Sequence, residues 1–216
     1  MVVSREAGRE VAIGPHRLPG SLTAPTGGCG LVVFAHGSGS SRLSPRNRQV
    51  ADAIAAVGLG TLLFDLLRDD EARDRRRVFD ILLLAERVGE ALDWAAEAVD
   101  GPARTLGLFG ASTGAAAALV AAARRPEQVA AVVSRGGRPD LAADALKRVR
   151  APTLLVVGGA DHAVLALNRA ALARLDCPKA LKVVPGAGHL FEEPGTLEAM
   201  TEHAVGWFTR HLANAG

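Results

Sequence analysis

Short apolar runs separated by longer stretches of helical period constrain the fold of this 216-residue chain more than any other feature. The runs lack the polar alternation that marks a sheet with one wet face, so they indicate strands buried on both faces. Strands of this kind that alternate with helices are typical of a mostly parallel sheet with helices on both faces. The six runs are residues 30–37, 60–65, 105–112, 129–134, 152–159 and 180–186.

Three stretches between or after these runs carry apolar residues at helical spacing, and each predicts a helix. They contain Val50, Ile54 and Val57; Val78, Ile81, Leu82, Ala85, Val88 and Leu92; and Leu197, Met200, Ala204 and Phe208. The alanine-rich segment 112–126 predicts a further helix that lies close against the middle of the sheet. The first thirty residues suit a pair of antiparallel strands at a sheet edge. Since no repeat or linker divides the chain, we expect residues 1–216 to form a single domain.

Composition and charge exclude several classes of protein. Hydrophobic residues make up 49% of the chain, and the formal net charge of +2 is too small for a nucleic-acid-binding surface. The N-terminus carries charges where a signal peptide needs an apolar segment, and no apolar run reaches membrane-spanning length. Two cysteines, Cys29 and Cys177, are too few for a disulfide framework. We therefore expect a cytoplasmic protein without nucleic-acid or membrane partners.

The segment GLFGASTG, residues 107–114, places Ser112 between Gly110 and Gly114 at the junction of a predicted strand and a predicted helix. A serine hydroxyl becomes a useful nucleophile when a base removes its proton and the backbone projects it toward a substrate. A sharp turn from strand to helix projects it, provided that small residues flank it two positions away on either side. A phosphate cradle is the competing interpretation, but the glycine order G-x-G-x-x-G and a following G-K-[ST] are both absent. The pattern predicts Ser112 as a nucleophile.

Two later residues are candidates for the general base that a nucleophilic serine needs and for the acid that orients this base. In proteins with this turn, an orienting acid and then a base follow the serine in the chain, each at the carboxyl end of a later strand. Asp161 follows the fifth apolar run, and His189 follows the sixth. We predict Asp161 as the orienting acid and His189 as the general base. Asp65 or Asp140 as the acid, and His162 as the base, are alternatives that the sequence leaves open.

Acyl transfer also requires hydrogen-bond donors for the negative oxygen of the tetrahedral intermediate. The glycine-rich loop HGSGSSRLSP, residues 36–45, follows the first apolar run, and its backbone N–H groups are free to turn toward the site. We expect the oxyanion hole to consist of the N–H groups of Ser38 and of Thr113, the residue after the nucleophile. His36 is expected to fix the loop by hydrogen bonding.

Arg135 and Arg138 follow the fourth apolar run, at the edge of the sheet where ligands bind in this architecture. A guanidinium group suits planar anions, so either residue is a candidate for binding a carboxylate or phosphate of the substrate. The alternative for both is a structural role, such as holding loop carbonyls or forming an ion pair with Asp140.

Four segments in order resemble the α/β-hydrolase superfamily, and within it the small members that are similar to dienelactone hydrolases. These segments are VVFAHGSGSS, GLFGASTG, GGADHAV and PGAGHLFEEPG. The likeness extends from residue 10 to residue 212. The family members that this chain resembles include hydrolase modules that are joined to phosphoribosyltransferase domains in other proteins. The 216 residues contain no phosphoribosyltransferase segment. The resemblance implies an eight-stranded sheet, a triad of Ser112, Asp161 and His189, and hydrolysis of an ester or similar acyl bond.

The chain departs from the resemblance at two points. Dienelactone hydrolases proper carry cysteine as the nucleophile, so their particular substrate is not expected for a chain with serine at position 112. Many relatives insert a helical cap after the fourth parallel strand, whereas residues 135–150 leave room for one connecting helix. We therefore expect no cap domain and an open, shallow site.

The function that these features predict is a serine hydrolase that cleaves an ester of a small molecule through an acyl-enzyme, without a metal or organic cofactor. Two alternatives use the same fold: a ligand-binding protein without catalysis, and an acyltransferase or perhydrolase with the same triad. A monomer and a homodimer are both compatible with the sequence; Trp207 on the last helix suits either a dimer interface or the core.

Overall fold

An eight-stranded mixed β-sheet forms the centre of the protein. The structure is a computed structural model that describes residues 8–25, 30–98 and 105–212. The strands are β1 (Arg9–Ile13), β2 (Leu18–Thr23), β3 (Leu31–Ala35), β4 (Gly60–Phe64), β5 (Leu106–Ala111), β6 (Val129–Arg135), β7 (Thr153–Gly158) and β8 (Lys179–Val184). Their order across the sheet is β1-β2-β4-β3-β5-β6-β7-β8. Strands β3 to β8 are parallel, and β2 runs antiparallel to β1 and β4, which confirms the mostly parallel sheet and its antiparallel pair at one edge.

The central strands are buried on both faces, as their apolar runs predict. Every residue of β3, β4, β5 and β7 is buried. Strand β8 is the exception, because it lies at the edge of the sheet and pairs only with β7. Lys179, Lys182 and Val183 on this strand are exposed, so the prediction of a two-sided core strand is wrong there.

Helices cover both faces of the sheet. They are α1 (Pro45–Ala56), α2 (Arg75–Val78), α3 (Ile81–Ala98), α4 (Thr113–Arg124), α5 (His162–Arg174) and α6 (Thr196–Leu212), with 3₁₀ segments at Glu71–Arg73 and Pro139–Arg148. Helices α1 and α6 pack on one face. Helices α3, α4 and α5 and the second 3₁₀ segment pack on the other. Between β6 and β7 the chain forms only this 3₁₀ segment, kinked at Ala143, so the predicted lack of a cap domain is confirmed.

Helices form at the three stretches where apolar spacing predicts them, but two of the predictions need correction. All four apolar residues predicted for the last helix are buried in α6. Val57 is 47% exposed, because α1 ends one residue before it. The second pattern spans two helices, because the Asp80 carboxylate accepts hydrogen bonds from the N–H groups of Leu82 and Leu83 and so starts α3 anew. Leu82 faces outward there and is 60% exposed.

Helix α4 lies against the sheet centre at its first turn, and two glycines allow the close approach. A Cβ atom on Gly110 would lie 2.8 Å from the backbone nitrogen of Ala115. A Cβ atom on Gly114 would collide with the carbonyl oxygens of Ala35 and His36 at the end of β3. Six of the seven alanines that follow in α4 are buried, as expected for a helix pressed onto the sheet.

Within the residues that the structure describes, no helix is both long enough and apolar enough to pass through a lipid bilayer. Cys177 is buried, and Cys29 lies outside the described residues. Trp207 is partly buried against the cluster beneath α6, and its indole N–H donates to the Pro152 carbonyl at 3.3 Å.

We predict that Gly110→Ala lowers the free energy of unfolding by about 2–3 kcal/mol, because the added methyl group meets backbone atoms that have no room to move. Gly206→Ala is the matched control, since a Cβ atom at this α6 position meets nothing within 4 Å. It should raise the free energy of unfolding by about 0.5–1 kcal/mol through helix propensity. Urea unfolding of both variants checks the prediction, and equal effects at the two positions would contradict it.

Candidate active site

Ser112 occupies the sharp turn between β5 and α4. Its backbone has φ 51° and ψ −121°, a conformation that residues other than glycine rarely adopt. Three backbone hydrogen bonds hold the turn. The Ser112 N–H donates to the Arg135 carbonyl at 3.3 Å, and the Ser112 carbonyl accepts from the N–H groups of Arg138 at 3.0 Å and Ala115 at 3.1 Å. The strand-to-helix turn predicted from the sequence is present, and the strain at Ser112 is a feature that functional residues often carry.

Asp161 and His189 form a hydrogen-bonded pair beyond the ends of β7 and β8. The imidazole Nδ1 lies 2.7 Å from Oδ2 of Asp161. The other carboxylate oxygen accepts the Val164 N–H at 3.4 Å and so caps the first turn of α5. With both oxygens engaged, the carboxylate is fixed, and an Nδ1–H that donates to it leaves Nε2 of the ring free to accept a proton.

The loop that carries His189 is held by two residues whose roles the sequence did not reveal. Glu193 accepts the Gly188 N–H at 3.0 Å, and this hydrogen bond lowers the pKa of its carboxyl group. Phe191 is buried in the cluster under α1 and α6 and has a positive φ of 55°. The loop is thus anchored on both sides of a histidine whose side chain is 40% exposed.

Ser112 and His189 line one open cavity of about 660 Å³ at the carboxyl edge of the sheet. Its remaining walls come from residues 37–41, the start of α1, Arg135 and Leu190. In the part of the chain that the structure describes, no hydrogen bond joins the Ser112 hydroxyl to His189. Hydrogen bonds of this kind are often long in unliganded sites and shorten when a substrate binds. The structure therefore brings Ser112 and His189 to one cavity, and Asp161 reaches it through its hydrogen bond to His189.

The two alternative acids are engaged elsewhere, and the alternative base is an exposed residue of α5. Asp65 accepts the backbone N–H of Arg42 at 2.7 Å and its guanidinium at 3.1 Å, which holds the loop after β3. Asp140 forms a two-pronged pair with Arg138, at 2.9 and 2.8 Å. His162 is the exposed first residue of α5.

The expected oxyanion donors lie beside the turn, but one of them already has a partner. The Ser38 N–H donates to the side-chain hydroxyl of Thr113 at 2.9 Å, a bond that the sequence did not suggest. Thr113 is the first residue of α4, so its own N–H has no partner within the helix. The bond ties the loop after β3 to the helix that follows Ser112.

His36 fixes this loop, as predicted. Its Nε2 accepts the Leu66 N–H at 3.1 Å, and its Nδ1 lies 2.9 Å from the Gly37 carbonyl. A ring that accepts at Nε2 carries its proton at Nδ1, which donates to that carbonyl. Burial lowers the pKa of His36, against smaller opposing effects from the hydrogen bond to Gly37 and the charge of Asp65. The imidazole is therefore a neutral linker between the ends of β3 and β4.

A second cavity, of about 160 Å³, lies on the other side of residues 37–41. Its apolar walls are Leu66, Leu67, Val78 and Leu84, and Thr113 reaches its edge. Among the described residues, no group of three or more histidine, cysteine or carboxylate side chains is arranged to hold a metal ion.

The two arginines predicted to bind substrate differ in their surroundings. Arg138 is paired with Asp140, one of the structural roles considered for it, and is absent from the described walls of the large cavity. Arg135 is 8% exposed and lines that cavity beside Ser112. Burial, with a smaller effect from the charge of Arg46, lowers the pKa of Arg135 to about 10.

The lowered pKa of His36 makes stability depend on pH. The unfolded chain binds this proton near the ordinary pKa of 6.5 and the folded chain only at lower pH, so stability is lost as pH falls below 6.5. The slope from one such group is at most about 1.4 kcal/mol per pH unit. His36→Gln keeps an acceptor for the Leu66 N–H but does not titrate. Its free energy of unfolding, measured in urea over a pH series, should fall less steeply than that of the wild type; parallel curves would contradict this.

A sequence model of the dienelactone hydrolase family matches residues 19–210 of the chain. Curated proteins from two strains of Mycobacterium tuberculosis, CDC 1551 and H37Rv, are each 56% identical over 207 residues. Both carry the name "Putative phosphoribosyl transferase". The match covers 96% of this chain but only 47% of theirs, so the chain spans about half the length of these relatives.

One of two similar solved structures supports the same family, and the other shows a likeness of fold. The crystal structure of a dienelactone hydrolase from Anabaena variabilis is 53% identical, with a TM-score of 0.91 over 96% of this chain and 98% of that one. Est1E from Butyrivibrio proteoclasticus has a TM-score of 0.79 over 95% and 98% of the two chains, and at 17% identity it shows a likeness of fold alone. The chain has the α/β-hydrolase fold and belongs to the dienelactone hydrolase family.

Proposed function

We propose that this member of the family is a serine hydrolase that cleaves carboxylic esters through a covalent acyl-enzyme. One observation carries the proposal: Ser112, on a strained turn, shares a cavity with His189, whose Nδ1 is 2.7 Å from the Asp161 carboxylate. The family supports hydrolysis. The transferase name of the Mycobacterium tuberculosis relatives applies to proteins about twice as long, so it is not carried over to this chain.

In the first half of the reaction, Nε2 of His189 takes the proton of Ser112 as the serine oxygen attacks the ester carbonyl carbon. The Asp161 carboxylate stabilises the imidazolium that forms. The carbonyl electron pair moves to oxygen, which accepts the Thr113 N–H at the positive end of α4. The Ser38 N–H becomes the second donor to this oxygen when the oxyanion replaces the Thr113 hydroxyl as its acceptor. Collapse of the intermediate expels the alcohol, which receives the proton from His189.

In the second half, a water molecule gives a proton to His189 as its oxygen attacks the acyl carbon. When this second tetrahedral intermediate collapses, the bond to the serine oxygen breaks, His189 returns the proton to that oxygen, and the acid leaves. The open cavity gives water a direct path to the acyl group. These steps need only the residues named. An apolar cavity of about 160 Å³ next to the turn supports small acyl or alcohol groups as substrates.

Ser112→Ala should abolish both covalent labelling and turnover. We expect the wild type to gain the mass of one fluorophosphonate adduct and to hydrolyse short-chain 4-nitrophenyl esters. The variant should gain none, and its kcat should fall by up to about 10⁶-fold, because the nucleophile is gone. Ser40→Ala, at an exposed serine in the loop after β3, should still be labelled. Intact-mass spectrometry and nitrophenolate release provide the two readings.

A folded wild type that forms no adduct and hydrolyses no ester would contradict the proposal and favour a ligand-binding protein on this fold. Turnover that requires an added alcohol or peroxide would instead indicate acyl transfer or perhydrolysis, which product analysis with competing acceptors detects.

Asp161→Asn should lower kcat by about 10³- to 10⁴-fold, because the neutral amide neither orients the imidazole nor stabilises its charged form. The asparagine oxygen still caps α5, so the melting temperature and circular dichroism should match the wild type. The measurement is turnover of 4-nitrophenyl acetate. Activity within tenfold of the wild type would remove Asp161 from the triad and return Asp65 and Asp140 as candidates.

A further inference from the structure

The side-chain hydroxyl of Thr113 is a buried group whose proton has no acceptor. Thr113 begins α4 and is 5% exposed, and its Oγ accepts the Ser38 N–H at 2.9 Å. A hydroxyl group also has one proton of its own to donate. No hydrogen bond within the described part of the chain takes that proton. Because buried donors are nearly always used, this proton indicates an acceptor that arrives with the substrate.

Other threonines of the chain use this proton, which sets Thr113 apart. The hydroxyl groups of Thr105, Thr153, Thr196 and Thr201 each donate to a backbone carbonyl, at 3.1, 2.9, 2.7 and 2.7 Å. In α6, Thr201 donates to the carbonyl four residues before it, which is a usual acceptor for a threonine inside a helix. The first position of α4 lacks that acceptor, because the residue four positions earlier, Phe109, belongs to β5.

Thr113 lies where the two cavities of the site meet. Ser38 lines both the cavity of about 660 Å³ that contains Ser112 and the apolar cavity of about 160 Å³, and Thr113 lines the smaller one. An ester with its carbonyl carbon at Ser112 directs the carbonyl oxygen toward the N–H groups of Ser38 and Thr113. The Thr113 hydroxyl already occupies an acceptor position of the Ser38 N–H, so the oxyanion forms next to this hydroxyl.

We propose that the Thr113 hydroxyl is a third donor in the oxyanion hole, so that Thr113 acts through its side chain as well as its backbone. When the oxyanion takes over the Ser38 N–H, it and the Thr113 Oγ both lie about 3 Å from one nitrogen. Two oxygens that close repel each other unless one donates a proton to the other. The hydroxyl turns about its Cβ–Oγ bond from accepting to donating, and the proton stays on Thr113.

This inference rests on the proposed esterase function and adds a catalytic residue to its mechanism. In the free protein the hydroxyl holds the loop by accepting from Ser38. In the transition state it faces a negative oxygen in an enclosed position, where a hydrogen bond to a charge is strongest. The donor therefore stabilises the transition state more than the bound ester, and its loss should lower kcat.

Thr113→Val removes the hydroxyl and keeps the shape of the side chain. Its kcat for 4-nitrophenyl acetate should fall by about 10²-fold, with KM within about threefold of the wild type, because the oxygen is charged only in the transition state. Thr113→Ser restores the hydroxyl, so its kcat should be at least about tenfold above that of Thr113→Val. Thr201→Val removes a similarly buried hydroxyl outside the site and should leave kcat unchanged.

A crystal structure of the Ser112 fluorophosphonate adduct separates a donor from a hydroxyl that only holds the loop. In this adduct the phosphonyl oxygen takes the place of the oxyanion. A third donor requires the Thr113 Oγ within about 3 Å of that oxygen, together with the N–H groups of Ser38 and Thr113. An Oγ more than about 3.5 Å away would overturn the inference. The wild type gives this reading, so the test does not depend on the folding of any variant.

The outcomes are distinct from those that test the esterase itself. If the wild type is labelled at Ser112 and hydrolyses esters, but Thr113→Val keeps its kcat within about threefold, the inference fails and the proposed function stands. The same holds if Thr113→Ser is as impaired as Thr113→Val. If the wild type shows neither labelling nor turnover, the proposed function fails, and the inference fails with it.

Discussion

The close approach of helix α4 to the carboxyl ends of β3 and β5 is the constraint on which the rest of the site depends. It requires glycine at 110 and 114, because a side chain at either position would meet backbone atoms. The approach forces Ser112 into its strained conformation and brings Thr113 to the Ser38 N–H, 2.9 Å away. The contact between α4 and the sheet thus fixes both the backbone conformation of Ser112 and the position of the loop that carries Ser38.

The parallel sheet then gathers the other groups at the same edge. The loops after β3, β6, β7 and β8 all leave the sheet at its carboxyl end, where Ser112 also lies. Hydrogen bonds within each loop fix its position: His36 joins two strand ends, Asp161 caps α5, and Glu193 holds the turn before His189. Most charges there are paired, whereas Arg135 has no side-chain partner among the residues that the structure describes.

Patterns in the sequence were sufficient for the architecture. Apolar runs without alternation predicted the central strands, because strands covered on both faces have no polar side. They failed for β8, whose apolar residues resemble those of its neighbours although it lies at the edge with Lys182 and Val183 exposed. The apolar residues on either side of Asp80 keep helical spacing, so this spacing could not reveal that one helix ends and another begins there. The donors near Ser112 were predicted as free N–H groups, and the Thr113 hydroxyl that occupies one of them was missed.

The sequence by itself determined the fold class, the position of the turn and the order of Ser112, Asp161 and His189, because each of these depends on local spacing and on the chain order of strands and loops. Only the tertiary structure decided which charged groups are paired. Asp65 joins Arg42, Asp140 joins Arg138, and Arg135 has no described partner. Pairing depends on distances between side chains from different loops, and on their burial, which no local pattern in the sequence contains.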